Sequence, residues 1–159
     1  MSTLAPKEIF DQLQVRFADA ILQFEEDAQA ILVDAQKINE VSLYIRDAEA
    51  FMFDSLMSLS GVDYADGNLG VVYHLFSMSH RHKLTLKTKV PKDNPHVQSV
   101  ELVWRTADWH EREAYDLIGV VFDGHRDLRR ILCPYDWEGH PLQKDYKQPE
   151  FYNGIKVPY

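Results

Sequence analysis

The chain has 159 residues, of which 45% are hydrophobic, with a single cysteine and a formal net charge of −8 at pH 7. This length suits one domain with a sizeable core, no apolar run is long enough to cross a membrane, and the acidic balance argues against general nucleic-acid binding. Cys133 cannot by itself form an internal disulfide or hold an iron–sulfur cluster or a structural zinc, so we expect it to contribute packing.

The excess of acidic side chains is confined to the first part of the chain. Residues 1 to 60 carry eleven acidic against four basic side chains, whereas the remainder is nearly balanced. One basic cluster follows, comprising Arg81, Lys83, Lys87, Lys89 and Lys92. We interpret it as the solvated face of a strand near a sheet edge, where surface lysines are usual.

The first sixty residues predict a helix, a strand and a second helix. Four apolar residues after Pro6 recur at the spacing of an amphipathic helix, namely Ile9, Phe10, Leu13 and Phe17. Between residues 40 and 46, Val41, Leu43 and Ile45 alternate with polar side chains, which is typical of a half-buried strand. Asp47 could then cap a second helix that ends at Gly61, with its inner face formed by Phe51, Met52, Leu56 and Leu59.

The middle of the chain predicts an antiparallel hairpin. Asp66-Gly67 marks a turn, after which residues 69–78 and 83–90 form two strands connected by residues 79–82. After a loop bracketed by prolines, four residues recur at helical spacing and predict a short helix: Val97, Val100, Val103 and Trp104.

Residues 108–132 combine charges of both signs, aromatics and turn glycines more densely than any other stretch. Asp108 and Glu111 have the spacing of a capping box, and Gly119 is the natural end of the helix. Arg112 and Asp116 are four residues apart and could form an ion pair on one helix face. Residues 120–122 then predict a brief buried strand.

Beyond Leu132, prolines and glycines interrupt the chain too often for a long regular element. This segment still holds six aromatic residues, more than a disordered tail would carry: Tyr135, Trp137, Tyr146, Phe151, Tyr152 and Tyr159. We therefore predict an α+β domain over residues 1–132 and an extended irregular C-terminal arm over residues 133–159. The element order indicates a small, mainly antiparallel sheet with helices packed on one face. The arm's aromatics would pack on their own domain or on another protein.

A series of short motifs runs from the predicted helix into the arm: Glu111-Arg112-Glu113, Tyr115-Asp116-Leu117, Gly124-His125, Asp127-Leu128-Arg129-Arg130-Ile131-Leu132, Asp136-Trp137, Gly139-His140-Pro141-Leu142 and Lys144-Asp145-Tyr146. Together they closely resemble the thirty-kilodalton subunit of respiratory complex I, the NADH:quinone oxidoreductase. Two positions depart from the family pattern, since Arg126 stands where proline is usual and Gln143 where arginine is usual.

The resemblance implies a non-catalytic subunit of the peripheral arm of a proton-pumping complex that itself binds no cofactor. Its partners would be chiefly the large quinone-site subunit and neighbouring iron–sulfur subunits, with no nucleic acid. The parent complex is expected to use FMN, iron–sulfur clusters and quinone. The chain would lie on the cytoplasmic side of the plasma (inner) membrane, held there only through the complex. The electron donor and the quinone type stay open.

Two groups of residues are candidates within that role. We expect a charge-assisted network to fix the predicted helix to the loop after it. Its members would be Glu111, Arg112, Asp116, Arg129 and Arg130, with His125 as a further structural or interface residue. A second group would anchor the arm on partner subunits, namely Trp137, His140, Pro141, Lys144 and Tyr146.

The alternative hypothesis is a free-standing metal-dependent hydrolase that uses the acids and histidines of this region: His110, Glu111, Glu113, Asp116, His125 and His140. The spacing argues against it. His110 and Glu111 are adjacent and so point about a hundred degrees apart on a helix, and no two histidines have the three- or four-residue interval of paired ligands. The sequence also lacks a nucleophile elbow and a Gly-rich phosphate loop.

Overall fold

A computed structural model describes residues 3–157 of the chain. In chain order the elements are α1 (Pro6–Arg16), β1 (Ile21–Glu25), β2 (Ala30–Val33), α2 (Ile38–Asp47), β3 (Ser55–Asp63), β4 (Asn68–Phe76), β5 (Lys83–Pro91), β6 (His96–Gln98), α3 (Ala107–Ile118), β7 (Val121–Asp123), β8 (Phe151–Tyr152) and β9 (Ile155–Lys156). None of the described helices is both long enough and apolar enough to span a bilayer.

The main sheet has five strands in the order β1-β2-β5-β4-β3. Its pairings are antiparallel except for β2 with β5, which is parallel, with Ala30 opposite Thr85. Strands β6 and β7 form a separate parallel pair, and β8 and β9 a short antiparallel hairpin. The predicted α+β class, with a mainly antiparallel sheet and helices on one face, is confirmed.

Strand β4 has one face buried in the core and the other less buried. Along β4, Leu69, Val71, Tyr73 and Leu75 are buried on the face that carries the core, whereas His74 faces solvent. The predicted hairpin of β4 and β5 is confirmed, and the opening helix is confirmed as α1.

The strand predicted over residues 40–46 is wrong, because this segment lies within helix α2. The buried residues of the helix are Ile38, Val41, Ser42 and Ile45, which follow helical spacing. Leu43, which completed the apparent alternation, is 44% exposed. This segment is therefore a helix because its buried residues follow helical spacing, although its apolar residues alternate as in a strand.

The helix predicted over residues 47–61 is also wrong, since this part of the chain is a loop followed by strand β3. The pairing of β3 with β4 shifts register between Leu56 and Ser58. The irregularity leaves Leu56 and Leu59 buried three positions apart, which imitates the spacing of a helix face.

Two further expectations require correction. The short helix predicted over residues 97–104 is instead strand β6 and a turn in which the N–H of Trp104 donates to the carbonyl of Val100. The basic cluster lies on and beside β5, which is the central strand of the sheet and not an edge. Three of its lysines form ion pairs, Lys87 with Glu25, Lys89 with Asp66, and Lys92 with Asp63 and Asp145.

The C-terminal arm is irregular up to β8 and contacts the domain along its first part. The backbone N–H of Leu142 donates to the carbonyl of Leu117, and that of Lys144 donates to the carboxylate of Asp63. Asn153-Gly154, both with positive φ, form the tight turn of the terminal hairpin. Tyr159, counted among the arm's aromatics, lies outside the described residues, and the division of the chain at residue 132 stays a prediction.

Candidate functional site

Helix α3 carries the residues singled out by the sequence, and its end is fixed by glycine. Gly119 has φ +91°, and its N–H donates to the carbonyls of Ala114 and Tyr115. A Cβ at this position would lie 2.7 Å from the ring of His140. The predicted helix end at Gly119 is therefore confirmed, and the absence of a side chain there lets the arm pack against the helix terminus.

Asp116 is fully buried on the side of α3 that faces the following loop. One carboxylate oxygen, Oδ2, accepts the backbone N–H groups of Ile131, Leu132 and Cys133 at 3.0, 2.7 and 2.8 Å. The other, Oδ1, accepts Nη1 of Arg130 at 2.7 Å. Burial would raise the pKa of this carboxyl, but the hydrogen bonds from Cys133, Arg130 and the other two amides outweigh it and lower the pKa to about 2.

Arg130 joins the helix to the C-terminal arm. Besides its bond to Asp116, its Nη2 donates to the backbone carbonyls of Trp137 and Gly139, each at 2.8 Å. His140 is held nearby by a 2.9 Å hydrogen bond between its Nδ1 and the carbonyl of Asp116. One buried carboxylate and one arginine thus position both the loop after β7 and the first turn of the arm.

Glu111, which precedes Asp116 on α3, is equally buried but has fewer donors. Its oxygens accept the hydroxyl of Ser99 at 2.6 Å and the N–H of Val100 at 2.7 Å. Burial raises its pKa to about 7, these two bonds lower it in part, and the nearby carboxylates of Glu101 and Asp108 raise it further. Glu111 therefore ties α3 to the segment after β6, and not to the loop that Asp116 holds.

The side chain of His125 is fully buried between these acids. The N–H of Asp127 donates to its Nδ1 at 3.0 Å, so Nε2 is the ring nitrogen left to donate. Nε2 faces the backbone oxygen of Asp108 at 3.2 Å and its carboxylate at 3.3 Å, with Glu111 at 4.0 Å. His125 thus bridges the loop after β7 to the start of α3.

Two local predictions about α3 are wrong. Thr106 occupies the N-cap without a side-chain bond, and Glu111 points into the core, so no capping box forms. Among residues 3–157, Arg112 makes no ion pair with Asp116. Instead its guanidinium donates to the carbonyls of Arg129 and Arg130 and lies 5.7 Å from the exposed ring of Trp109. The carboxylates of Glu111 and Asp116 turn inward because donors from other parts of the fold reach them there.

The structure separates the five residues of the expected network. Asp116 and Arg130 pair directly, Arg112 binds the backbone of the same loop, and Glu111 lies in a different cluster. Arg129 is 70% exposed in its side chain and pairs only with the exposed Asp127 among the described residues. Arg130, and not Arg129, is therefore the arginine that connects the helix with the arm.

The arm candidates mostly contact their own chain. Nε1 of Trp137 donates to the hydroxyl of Tyr146 at 3.0 Å, His140 binds the end of α3, and Pro141 is half-buried. Lys144 contributes its backbone N–H to Asp63 while its side chain is exposed. Their contacts with partner subunits stay a prediction.

Sequence reasoning missed the partners that lie far away in the chain. Ser99, Asp63 and Glu101 were not singled out, because an isolated serine or acid carries no local signal of burial. Glu101 accepts Nε of Arg126 at 2.6 Å, and Gln143 donates to the carbonyl of Ile118 at 2.6 Å. Both departures from the family pattern thus have specific contacts within the domain.

Within the described part of the chain, no three His, Cys, Asp or Glu side chains are arranged to hold a metal ion. The acids Glu111 and Asp116, named for the hydrolase alternative, are instead bound to backbone amides, a hydroxyl and arginine. Nothing in this geometry favours the hydrolase alternative.

Comparison with known proteins decides the family. The model of the respiratory-chain NADH dehydrogenase 30 Kd subunit matches residues 31–152. The chain belongs to this family. Two relatives that are named as subunits of NADH-quinone oxidoreductase are 47% identical over 151 residues in Chloroherpeton thalassium and 44% identical over 155 residues in Chlorobium phaeobacteroides. These alignments cover 92% and 94% of this chain, and 63% and 93% of the respective relatives.

Two solved structures share the fold of this chain. A trypsin-resistant fragment of Nqo5 superposes with a TM-score of 0.62 and 23% identity, covering 79% of this chain and 100% of the fragment. A chain of the membrane-bound sulfane sulfur reductase, an archaeal respiratory membrane complex, gives a TM-score of 0.69 and 23% identity, covering 89% of this chain and 85% of the other. At this identity the likeness concerns the fold.

Proposed function

We propose that this chain is a non-catalytic, structural subunit of the peripheral arm of a proton-pumping NADH:quinone oxidoreductase. It packs beside the quinone-site subunit and neighbouring iron–sulfur subunits on the cytoplasmic side of the inner membrane, and reaches the membrane only through them. The names of its relatives in Chloroherpeton and Chlorobium support membership of such a complex.

The structural role rests on one observation: the buried carboxylates of α3 are bound by other groups of the same chain. The carboxylates of Glu111 and Asp116 are closed to solvent, and donors of the chain itself bind both of them. A catalytic carboxylate has to reach its substrate, whereas these two hold a loop, a turn and the arm in place. FMN, iron–sulfur clusters and quinone would be bound by other subunits, and one cysteine cannot ligate a cluster.

The surface of the arm supports a role in assembly. Four large apolar side chains of the arm are more than half exposed, namely Tyr135, Leu142, Phe151 and Ile155, as is Leu132 directly before it. Trp109, on the outer side of α3, is 65% exposed. Exposed aromatics and apolar residues of this density are typical of protein interfaces.

Two neighbouring arginines test this proposal. In Arg130→Ala the buried Asp116 loses its cation and two arm carbonyls lose their donor, whereas Arg129→Ala removes only an exposed pair. We expect Arg130→Ala to lower the amount of chain found in the large membrane complex several-fold, and Arg129→Ala to leave it near the wild-type amount. Native gels of gently solubilised membranes, with identification of the co-migrating proteins, measure both.

Quinone reduction per assembled complex distinguishes the structural role from a chemical one. We expect it to be unchanged in whatever complex Arg130→Ala still forms. Normal assembly with abolished quinone reduction would contradict the structural role. A wild-type chain that migrates as a small species absent from membranes would contradict membership of the complex.

A further inference from the structure

We infer that a pocket in the C-terminal arm binds the guanidinium group of an arginine from a partner subunit. The pocket has a volume of about 250 Å³ and lies between residues 136–138 and the β8–β9 hairpin. Its lining combines three aromatic rings with two carboxylates: Trp137, Phe151, Tyr152, Asp136 and Glu138. The inference rests on the proposed function, because it names the chemistry of the partner.

The walls of the pocket are fixed before any partner arrives. The rings of Trp137 and Tyr152 are in contact, with centroids 5.2 Å apart and planes at 50°. Tyr146 accepts the indole N–H of Trp137, and the hydroxyl of Tyr152 donates to Asp136 at 2.8 Å. A preformed site avoids much of the entropy loss that ordering its side chains would otherwise cost on binding.

The pocket is also tied to the buried network of α3. Arg130, which pairs with Asp116, donates to the carbonyl of Trp137. The position of the indole therefore depends on the same arginine that holds the arm against the domain.

The charges around the pocket call for a cation. Within residues 3–157, neither Asp136 nor Glu138 has a basic side chain within ion-pair distance, whereas Asp145 pairs with Lys92 at 2.5 Å. Aromatic faces attract cations, and Trp does so most strongly. The carboxylates and the rings thus favour the same class of ligand.

A guanidinium group fits this combination better than an ammonium group. Its plane can stack on a ring while its N–H groups are directed at carboxylate oxygens in the same plane. Phe151, which lines the pocket, is 60% exposed, so the pocket is open to solvent and a partner can approach it. Arginine and aromatic residues are enriched at the centres of protein interfaces.

A titration of the full chain tests the chemistry of the pocket. The probes are N-acetyl-arginine methylamide and its neutral analogue N-acetyl-citrulline methylamide, followed through the indole N–H resonances of the three tryptophans in a ¹⁵N-labelled protein. We expect a saturable shift of the Trp137 resonance with the arginine probe alone. The Trp104 and Trp109 resonances should stay in place. Absence of this shift, or an equal shift with citrulline, would overturn the inference.

Removing one carboxylate adds a matched comparison. Glu138→Gln should weaken binding of the arginine probe about three-fold, the size expected of one solvent-accessible charge. Asp93→Asn removes another exposed carboxylate, one that does not line the pocket, and should leave binding unchanged. Equal affinity in wild type and Glu138→Gln would overturn the role of the carboxylates.

Cross-linking in the assembled complex tests the partner. A photoreactive amino acid in place of Asn153, which lines the pocket, should capture a peptide of another subunit that contains arginine. Replacing that arginine with glutamine should abolish the capture. Capture of a peptide without arginine, or of a second copy of this chain, overturns the inference while the chain's co-migration with the complex keeps the proposed function. Loss of co-migration overturns the proposed function and the partner assignment with it.

Discussion

Two buried carboxylates on α3, five residues apart, differ in their pKa by several units. Asp116 has a pKa of about 2 and Glu111 a pKa of about 7, although both side chains are closed to solvent. Asp116 accepts three backbone N–H groups and a guanidinium, whereas Glu111 accepts one N–H and one hydroxyl and faces two other acids. The donors around a buried acid, more than burial itself, decide whether it is ionised.

Because their pKa values differ, Asp116 and Glu111 stabilise different contacts of helix α3. Asp116 is an anion that organises the loop and the arm through charge-assisted bonds. Glu111 binds a proton near neutral pH and joins α3 to Ser99 and Val100 through weaker, more nearly neutral contacts. At high pH, removing the charge of Asp116 should therefore lower the free energy of unfolding, whereas removing the charge of Glu111 should raise it.

The largest expected effect belongs to Asp116→Asn. The amide cannot neutralise Arg130, and its NH₂ group would face donors instead of accepting from them. Removing one partner of a buried ion pair costs about 3–5 kcal/mol, so the urea midpoint should fall strongly at pH 7. Because the folded-state pKa lies below the ordinary 3.8, the stability that this carboxylate contributes is present above pH 3.8 and is lost as the pH falls through 2. As the pH falls through that range, the difference in free energy of unfolding between wild type and Asp116→Asn should become smaller.

Asp127→Asn is the matched control for Asp116→Asn. Its carboxylate also pairs with an arginine, Arg129, but both side chains are more than half exposed. Its urea midpoint should stay close to that of wild type, since exposed pairs contribute little. An equal loss in both variants would mean that the bonds around Asp116 carry no special stability.

Glu111→Gln should stabilise the protein at high pH, by somewhat less than Asp116→Asn destabilises it. The folded-state pKa is raised from 4.5 to about 7, so the stability linked to this carboxyl is fully present below pH 4.5 and is lost as the pH rises through 7. Glutamine keeps an acceptor for Val100 and does not ionise. From pH 4 to pH 8, the free energy of unfolding of the variant, measured with urea, should rise by about 3 kcal/mol relative to that of wild type.

Glu113→Gln, on the exposed side of the same helix, is the control because it keeps Glu111. Its stability should follow the pH dependence of wild type. If Glu111→Gln and wild type changed in parallel from pH 4 to 8, the raised pKa would be refuted.

The smallest expected effect is that of Gly119→Ala, which addresses the contact between helix and arm. A left-handed backbone costs a non-glycine residue about 1–2 kcal/mol, and the new Cβ would also collide with His140. We expect a lower urea midpoint together with faster tryptic cleavage after Lys144 and Lys147. Gly124→Ala has a similar φ of +86° but meets no atom within 4 Å, so its arm should stay protected. Equal cleavage of the two variants would argue against docking of the arm through Gly119.

Local patterns predicted the elements whose partners are close in sequence. The β4–β5 hairpin follows from two strand-like runs with a short connection between them, and the end of α3 from Gly119. The patterns failed where distant packing decides the structure. The register shift in β3 gave Leu56 and Leu59 a helical spacing, and the apparent strand alternation through Leu43 belongs to helix α2, where that side chain is exposed.

The candidate site was predictable in its members but not in its pairings. The sequence singled out Glu111, Asp116 and Arg130, yet it assigned Asp116 to Arg112 at the helical interval of four. The interval makes that pair possible on an isolated helix. In the folded chain the loop amides and Arg130 offer Asp116 four donors at once, and the guanidinium of Arg112 binds the carbonyls of Arg129 and Arg130 instead.

The parallel pairing of β2 with β5 has a consequence for how the chain is made. Ala30 pairs with Thr85, 55 positions later, whereas β4 and β5 are neighbours along the chain. During synthesis the β1–β2 hairpin leaves the ribosome first and keeps one edge of β2 unpaired until β5 has emerged. An open edge is a template for association with other chains. The nascent protein is therefore most exposed to misassembly in this interval, and pairing of β5 with both hairpins ends it.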